Sequence, residues 1–210
     1  MSQPDPAPVL ASDVARAAEP RAANPSLQQR VAAAILEAAA RVLTVSAGRA
    51  SMSDVAAAAG VARATVYRYF PSRQSLLDEL ARLAVNDAGA RLDSARVDEV
   101  PADEGVRRAV RALVDVGDYF VVLARERVRA DPEEFDRGVA MPLRRLVERA
   151  QSVGEIRGDI PSVWLAESLV DLVVGVLSST PLLGKEDTIA TIASMFLDGV
   201  RARSSAASAS

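Results

Sequence analysis

The chain has 210 residues, half of them hydrophobic, which suits one large domain or a small domain joined to a larger one and argues against global disorder. It contains no cysteine and no histidine, which excludes disulfides, thiolate nucleophiles, Cys- and His-based metal sites and the commonest general base. The net charge of −3 speaks against coating nucleic acid over the whole surface, yet residues 26–80 carry six Arg against four acids while 81–210 carry 17 basic residues against 21 acids.

Residues 1–25, with five prolines and no apolar run, read as a disordered arm rather than a secretory signal. A first helix is expected over about 26–46, capped by Ser26, with Leu27, Val31, Ala34, Ile35, Ala38 and Val42 along one face and Gly48 ending it. Ser51 stands three residues before Asp54, a capping signal for a short helix at about 52–59. Gly60 breaks the chain, a second short helix runs from about 62 to 69, Pro71 stops it, and Ser72 starts a long helix to about 95. Later helices fall at about 103–129, interrupted or bent near Gly117, 133–152, kinked at Pro142, 162–179 and 186–202. The breaks between them are at Gly154, Gly158, Pro161 and the segment TPLLGKED. The last eight residues, 203–210, read as a frayed tail. No β-alternation or long repeat is visible, so the expected fold is all-α with about nine helices.

Two helices of about eight residues joined by a glycine turn and flanked by longer helices form a helix-turn-helix pattern. Val55 and Ala59 face inward, Ala56 is small where the helices cross, Val61 plugs the turn, and Val66 with Phe70 makes the buried stripe of the second helix. Ala64, Tyr67 and Arg68 then point away from that stripe, Thr65 and Tyr69 lie on a flank, and Arg63 sits at the exposed start. Packing does not require polar aromatics on an outward face. A tyrosine ring can lie on a sugar while its hydroxyl bonds a phosphate, and arginine can grip phosphate or the O6/N7 edge of guanine. The helix N-termini at Ser51 and at the second short helix also offer N–H groups to phosphates.

The run SMSDVAAAAGVARATVYRYFPSRQSLLDEL resembles the N-terminal signature of the TetR family of transcriptional repressors. The shared features are a capped helix, A-G-V, a short recognition helix ending in a Y-x-[HY]-F element, a basic residue and an L-L pair. The resemblance implies a helix-turn-helix DNA-binding domain over 26–72 and an effector-binding and dimerisation domain over 73–202. It makes Ala62, Arg63, Ala64 and Arg68 candidates for base-edge or groove contact, and Ser51, Thr65, Tyr67, Tyr69 and Arg73 candidates for phosphate contact. Three positions depart from the family pattern: Ala62 where Ser is common, Arg73 where Lys is common, and Gln74 where Glu is common. The first removes a side-chain cap from the recognition helix.

The helix around VWLAESLVDLVVGVL, at 163–177, is apolar over most of its girth, yet about 15 residues with Glu167 and Asp171 are too short and too charged to span a bilayer. Its stripe of Leu165, Leu169, Leu172, Val173 and Val176, with Ile189, Ile192, Phe196 and Val200 on the next helix, suits either a monomer core or a two-fold four-helix bundle. Repressors of the resembled family fit the second case, and a homodimer is what a palindromic operator requires. The resemblance further implies a small-molecule effector and a pocket for it in the middle helices, with Tyr119, Phe120, Leu123, Phe135, Met141 and Trp164 as candidate lining; an apolar or weakly polar effector is expected. With no histidine, the histidine-and-magnesium recognition of tetracycline known for the founding member has no counterpart in this chain. The expectation is a cytoplasmic, ligand-responsive repressor of double-stranded DNA, with no catalytic residues, cofactor, metal or membrane partner. An activator of the same family and a helical protein-interaction adaptor are the alternatives.

Overall fold

The computed structural model describes residues 27–46, 49–179 and 182–202. The expected arm (1–25), the cap at Ser26, the helix stop at Gly48 and the tail (203–210) lie outside them. Helix follows helix in the order α1 (Leu27–Val45), α2 (Met52–Ala59), α3 (Arg63–Tyr69), α4 (Arg73–Ala95), α5 (Ala102–Asp115), α6 (Gly117–Glu126), α7 (Pro132–Phe135), a π turn (Asp136–Ala140), α8 (Met141–Ser152), α9 (Ser162–Ser178) and α10 (Lys185–Val200). Among the described residues, extended pairing is limited to one antiparallel bridge, Ile156 with Arg201. Because α7, the π turn and α8 run on as one rod, the described residues form nine helical rods, matching the all-α expectation.

α4 is the spine. Leu76, Leu77, Leu80, Ala81, Ala84, Val85, Ala88 and Leu92 bury one broad stripe along its 23 residues. That stripe meets α1 near its start and α5, α6 and the π turn further along. Its start is fixed by Ser72, whose Oγ accepts from the Ser75 N–H at 3.0 Å while Ser75 Oγ accepts from the Ser72 N–H at 3.0 Å. α1 packs the expected face through Val31, Ile35, Ala38 and Val42, and buries more beside it. Leu27 and Ala34 are exposed, and Leu36, Ala39 and Leu43 join Ile35 and Ala38 in the core. An alanine-rich helix carries two overlapping apolar stripes, and parts of both are packed here.

Of the interruption or bend expected near Gly117, the structure shows the interruption, and the segment 103–129 forms two helices. The backbone breaks at Val116 (φ −109°, ψ 10°), α6 begins at Gly117, and it ends at Arg127 in the left-handed region (φ 56°). A Cβ on Gly117 would meet Cδ1 of the Leu177 side chain from α9, which would have to turn aside to admit it. The irregularity expected at Pro142 lies just upstream of it. Pro142 has no N–H to offer, and the helix widens over Asp136–Ala140 so that the Met141 N–H reaches back to the Asp136 carbonyl. This π turn crosses α4 closely, with a Cβ on Gly89 falling 3.0 Å from the Gly138 carbonyl oxygen.

α9 and α10 lie beside each other, against α5, α6 and α8. Of the stripe proposed for a dimer surface, Leu165, Leu169, Val173, Ile189, Ile192, Phe196 and Val200 are buried within the single chain, and Leu172 and Val176 are half-buried against the same core. These side chains pack the protomer's own core, with Leu172 and Val176 keeping part of their surface outside it. The outward positions are Trp164, 63 % exposed, and Met195, 54 % exposed, with Val170 and Val174 half-buried and Gly175 and Gly199 exposed. One connected core runs from Ile35 in α1 through Val55, Val66 and Phe70 into α4 and on to Val200.

Candidate nucleic-acid interface

The short helices α2 and α3 are shaped by signals local in sequence. Ser51 is extended (φ −88°, ψ 167°), and its Oγ accepts from the Asp54 N–H while the Asp54 carboxylate accepts from the Ser51 N–H at 2.8 Å. The Ser51 hydroxyl also donates to Asp54 Oδ2 at 2.8 Å. The Ser51 backbone N–H first, and its side chain second, hold the Asp54 carboxyl below its ordinary value of 3.8. At the other end Gly60 takes the left-handed conformation (φ 66°, ψ 28°), and the Val61 N–H reaches back to the Ala56 carbonyl at 3.0 Å, closing α2. A Cβ on Gly60 would meet nothing within 4 Å, so the demand for glycine is conformational.

α3 is then anchored by Val66, fully buried, and by Phe70 at its end. Ala62 occupies its N-cap (φ −66°, ψ 145°) and makes no side-chain cap. Arg63, Ala64, Tyr67 and Arg68 are exposed, with Ala62 beside them, and Thr65 and Tyr69 lie half-buried on the flank, as the helical wheel places them. Among these, the structure reveals two arginine–tyrosine pairings. The Arg63 guanidinium stacks 5.3 Å from the centre of the Tyr67 ring and donates Nη2–H to the Tyr67 hydroxyl at 3.3 Å. The Arg68 guanidinium stacks 5.2 Å from the centre of the Tyr69 ring. Each arginine thus leans on a tyrosine, which limits its rotamers before any ligand arrives. The i, i+4 spacing of Arg63 and Tyr67 is the one signal from which the first pair was readable.

Arg73 differs from the rest. It stands in the first turn of α4 half-buried, with Nη1 donating to the Ala50 carbonyl and Nη2 to Glu126 Oε1 at 2.7 Å. Near by, Arg125 Nη1 donates to the Thr44 carbonyl at 3.2 Å. The end of α6 is thereby joined both to the end of α1 and to the start of α4. Glu126 was not a candidate on sequence grounds, because nothing local marks a residue 53 positions away as the partner of Arg73.

The six candidate pocket residues differ in exposure. Phe120 and Leu123 are buried in the core, Tyr119 and Phe135 are half-buried against it, and Met141 and Trp164 stand on the surface. Burial, with the nearby Glu37 and Asp87 carboxylates, pushes the Tyr119 hydroxyl above its ordinary value. An open cleft of about 410 Å³ between α4 and α5 is lined instead by Ala90, Arg91, Arg108, Arg111 and Asp115 among others. Its arginines are already paired: Arg91 with Asp87 and Asp115, Arg108 with Glu104, and Arg111 with Glu186. Among the described residues no group of acids could hold a metal, and no helix is long and apolar enough to cross a membrane.

Residues 35–80, the stretch that contains α2 and α3, match the pattern described as bacterial regulatory proteins, tetR family. The chain is 38% identical over 115 residues to the HTH-type transcriptional repressor LfrR of Mycolicibacterium smegmatis. That match covers 52% of this chain and 60% of LfrR, less than two thirds of its length. It is 29% identical over 197 residues to the HTH-type transcriptional regulator EthR of the same organism, covering 86% of this chain and 90% of EthR. Among solved structures, the TetR-like regulator LfrR in complex with proflavine superposes with a TM-score of 0.66 at 31% identity, covering 81% of this chain and 96% of that one.

Proposed function

The chain belongs to the tetR family of bacterial regulatory proteins, and on that premise we propose that it is a transcriptional repressor that binds a palindromic operator as a homodimer and is released by a small-molecule effector. The observation that carries the reading is the outward Arg63–Tyr67 and Arg68–Tyr69 face of α3, set on a helix whose other side is locked into the core by Val66 and Phe70. Arg63 and Arg68 are the proposed base readers. Ala62 and Ala64 allow close approach to the groove, and Ser51, Thr65, Tyr67 and Tyr69 serve the backbone. Residues 26–72 form the DNA-binding part and 73–202 the effector and dimerisation part of a chain that works in the cytoplasm.

The dimer face is assigned to the outward strips of α9 and α10. Trp164 and Met195 supply apolar area there, and Gly175 and Gly199 leave room for a partner helix, because a Cβ at either would meet nothing within 4 Å. Effector binding in the body would change the spacing of the two recognition helices, a coupling of about 1–3 kcal/mol.

A mobility-shift titration on palindromic duplexes from the DNA beside the gene tests the reading. Retention of one duplex over a scrambled one, lost on adding effector, is the expected result. Proflavine, bound by the relative LfrR, is the first effector to try, alongside apolar compounds. Equal retention of both duplexes, or none, sinks the proposal.

A further inference from the structure

Arg73 and Glu126 meet where the DNA-binding part joins the body. The guanidinium is held on two sides, by the Ala50 carbonyl and by the Glu126 carboxylate, and Ala50 directly precedes Ser51, the capped start of α2. The arginine therefore lies at the edge of the surface that carries Ser51, Arg63 and Tyr67, yet its charge is turned back into the protein. A carboxylate presents a guanidinium with much the same pair of anionic oxygens as a phosphodiester does, so the two anions are exchangeable partners for one fork of N–H groups.

Glu126 is also placed against its own helix. It is the last residue of α6, where the carbonyl end of the helix disfavours a negative charge, and the chain turns away at Arg127 through a left-handed residue. With its side chain only 15 % exposed, the carboxylate gains little from water and relies on Arg73. The pair is thus a local match of two charges rather than a requirement of the core, and neutralising Glu126 relieves a repulsion as well as removing an attraction.

We propose that Glu126 competes with operator DNA for Arg73, so that binding the operator requires the Arg73–Glu126 pair to open and Glu126 lowers operator affinity. This rests on the operator-binding reading above. Glu126 acts through Arg73 and touches no base or phosphate itself. Since Arg125, its neighbour, holds the Thr44 carbonyl of α1, a shift of α6 moves the competing carboxylate together with the support of α1.

The test is fluorescence anisotropy of the full chain on a labelled duplex that the wild-type protein has selected from a random-sequence pool. Glu126→Gln is expected to bind about fivefold tighter than wild type, the scale of a partly exposed ion pair. Arg73→Ala is expected to bind more weakly, with a log–log salt slope shallower by about 0.9, one phosphate contact. In the Arg73→Ala background, Glu126→Gln should change affinity by less than about twofold, which isolates the pair from general charge removal. Binding by Glu126→Gln that is equal to or weaker than wild type overturns the proposal, as does equal tightening in both backgrounds. Should Glu126→Gln not fold, Glu126→Asp, whose shorter stem opens the pair while keeping the charge, carries the same expectation of tighter binding, and equal or weaker binding by it overturns the proposal. If the wild-type chain selects no duplex from the pool, the operator reading itself has failed, an outcome distinct from any result with the variants.

Discussion

At the scale of single residues, the two arginines of α3 are organised by tyrosines whose hydroxyls and rings do different things. Tyr67→Phe keeps the ring under Arg63 but deletes the oxygen that accepts its Nη2–H. It should weaken operator binding by about 1 kcal/mol, the net value of one hydrogen bond, while leaving the melting temperature in place because the side chain is exposed. If Arg68 reads a base as proposed, Arg68→Ala should cost about 1–3 kcal/mol and relax discrimination at one position, seen by comparing single-base variants of the duplex. Asp54 gives a prediction in pH. Its folded pKa lies below the ordinary 3.8, so its carboxylate stabilises the fold above that value, and the contribution disappears as pH falls through the lower folded value. The melting-temperature difference between wild type and Asp54→Asn should therefore be present at neutral pH and shrink below pH 3.8; a difference that stays constant into acid contradicts the capping role.

At the scale of elements, the glycine contacts make sharper demands than the turns do. Gly117→Ala drives a methyl into Leu177 and should destabilise the chain by about 1–3 kcal/mol in urea unfolding, and Leu177→Ala in the same chain should return part of that loss. A double variant no more stable than Gly117→Ala alone would mean that the backbone, not the side-chain clash, sets the cost. These contacts also mark where reading by sequence stops. α2, its glycine turn and α3 were legible because each signal lies within a few residues: Ser51 to Asp54, Gly60 at the left-handed turn, Val66 and Phe70 one helical turn apart. The break at Val116 was half-legible, with Gly117 in the right place but its reason on α9. The π turn was displaced from Pro142 because its signal is a missing donor, whose effect is felt one turn earlier. The partner of Arg73 was not legible at all, being set by how α6 packs.

At the scale of the whole molecule, the apolar girth of α9 announced burial on several sides without saying which side faced what. Helical periodicity ranks positions by hydrophobicity, and the most hydrophobic, such as Leu169 and Ile192, went to the chain's own core, leaving Trp164 and Met195 outside. As Trp164 is the single tryptophan, its emission should shift to the blue as the protein is concentrated through the dimerisation range, and Trp164→Arg should elute as a monomer and lose operator affinity. An unchanged dimer in that variant would remove Trp164 from the interface. The unbroken core has a different consequence, for engineering. Because Ile35, Phe70, Leu77 and Phe120 belong to one apolar cluster, there is no seam at residue 72 along which to graft the proposed DNA-binding part onto the body of another regulator. A working chimera has to carry α6 along with α1–α4 as a single transplantable block, and the native chain should give one calorimetric endotherm rather than two.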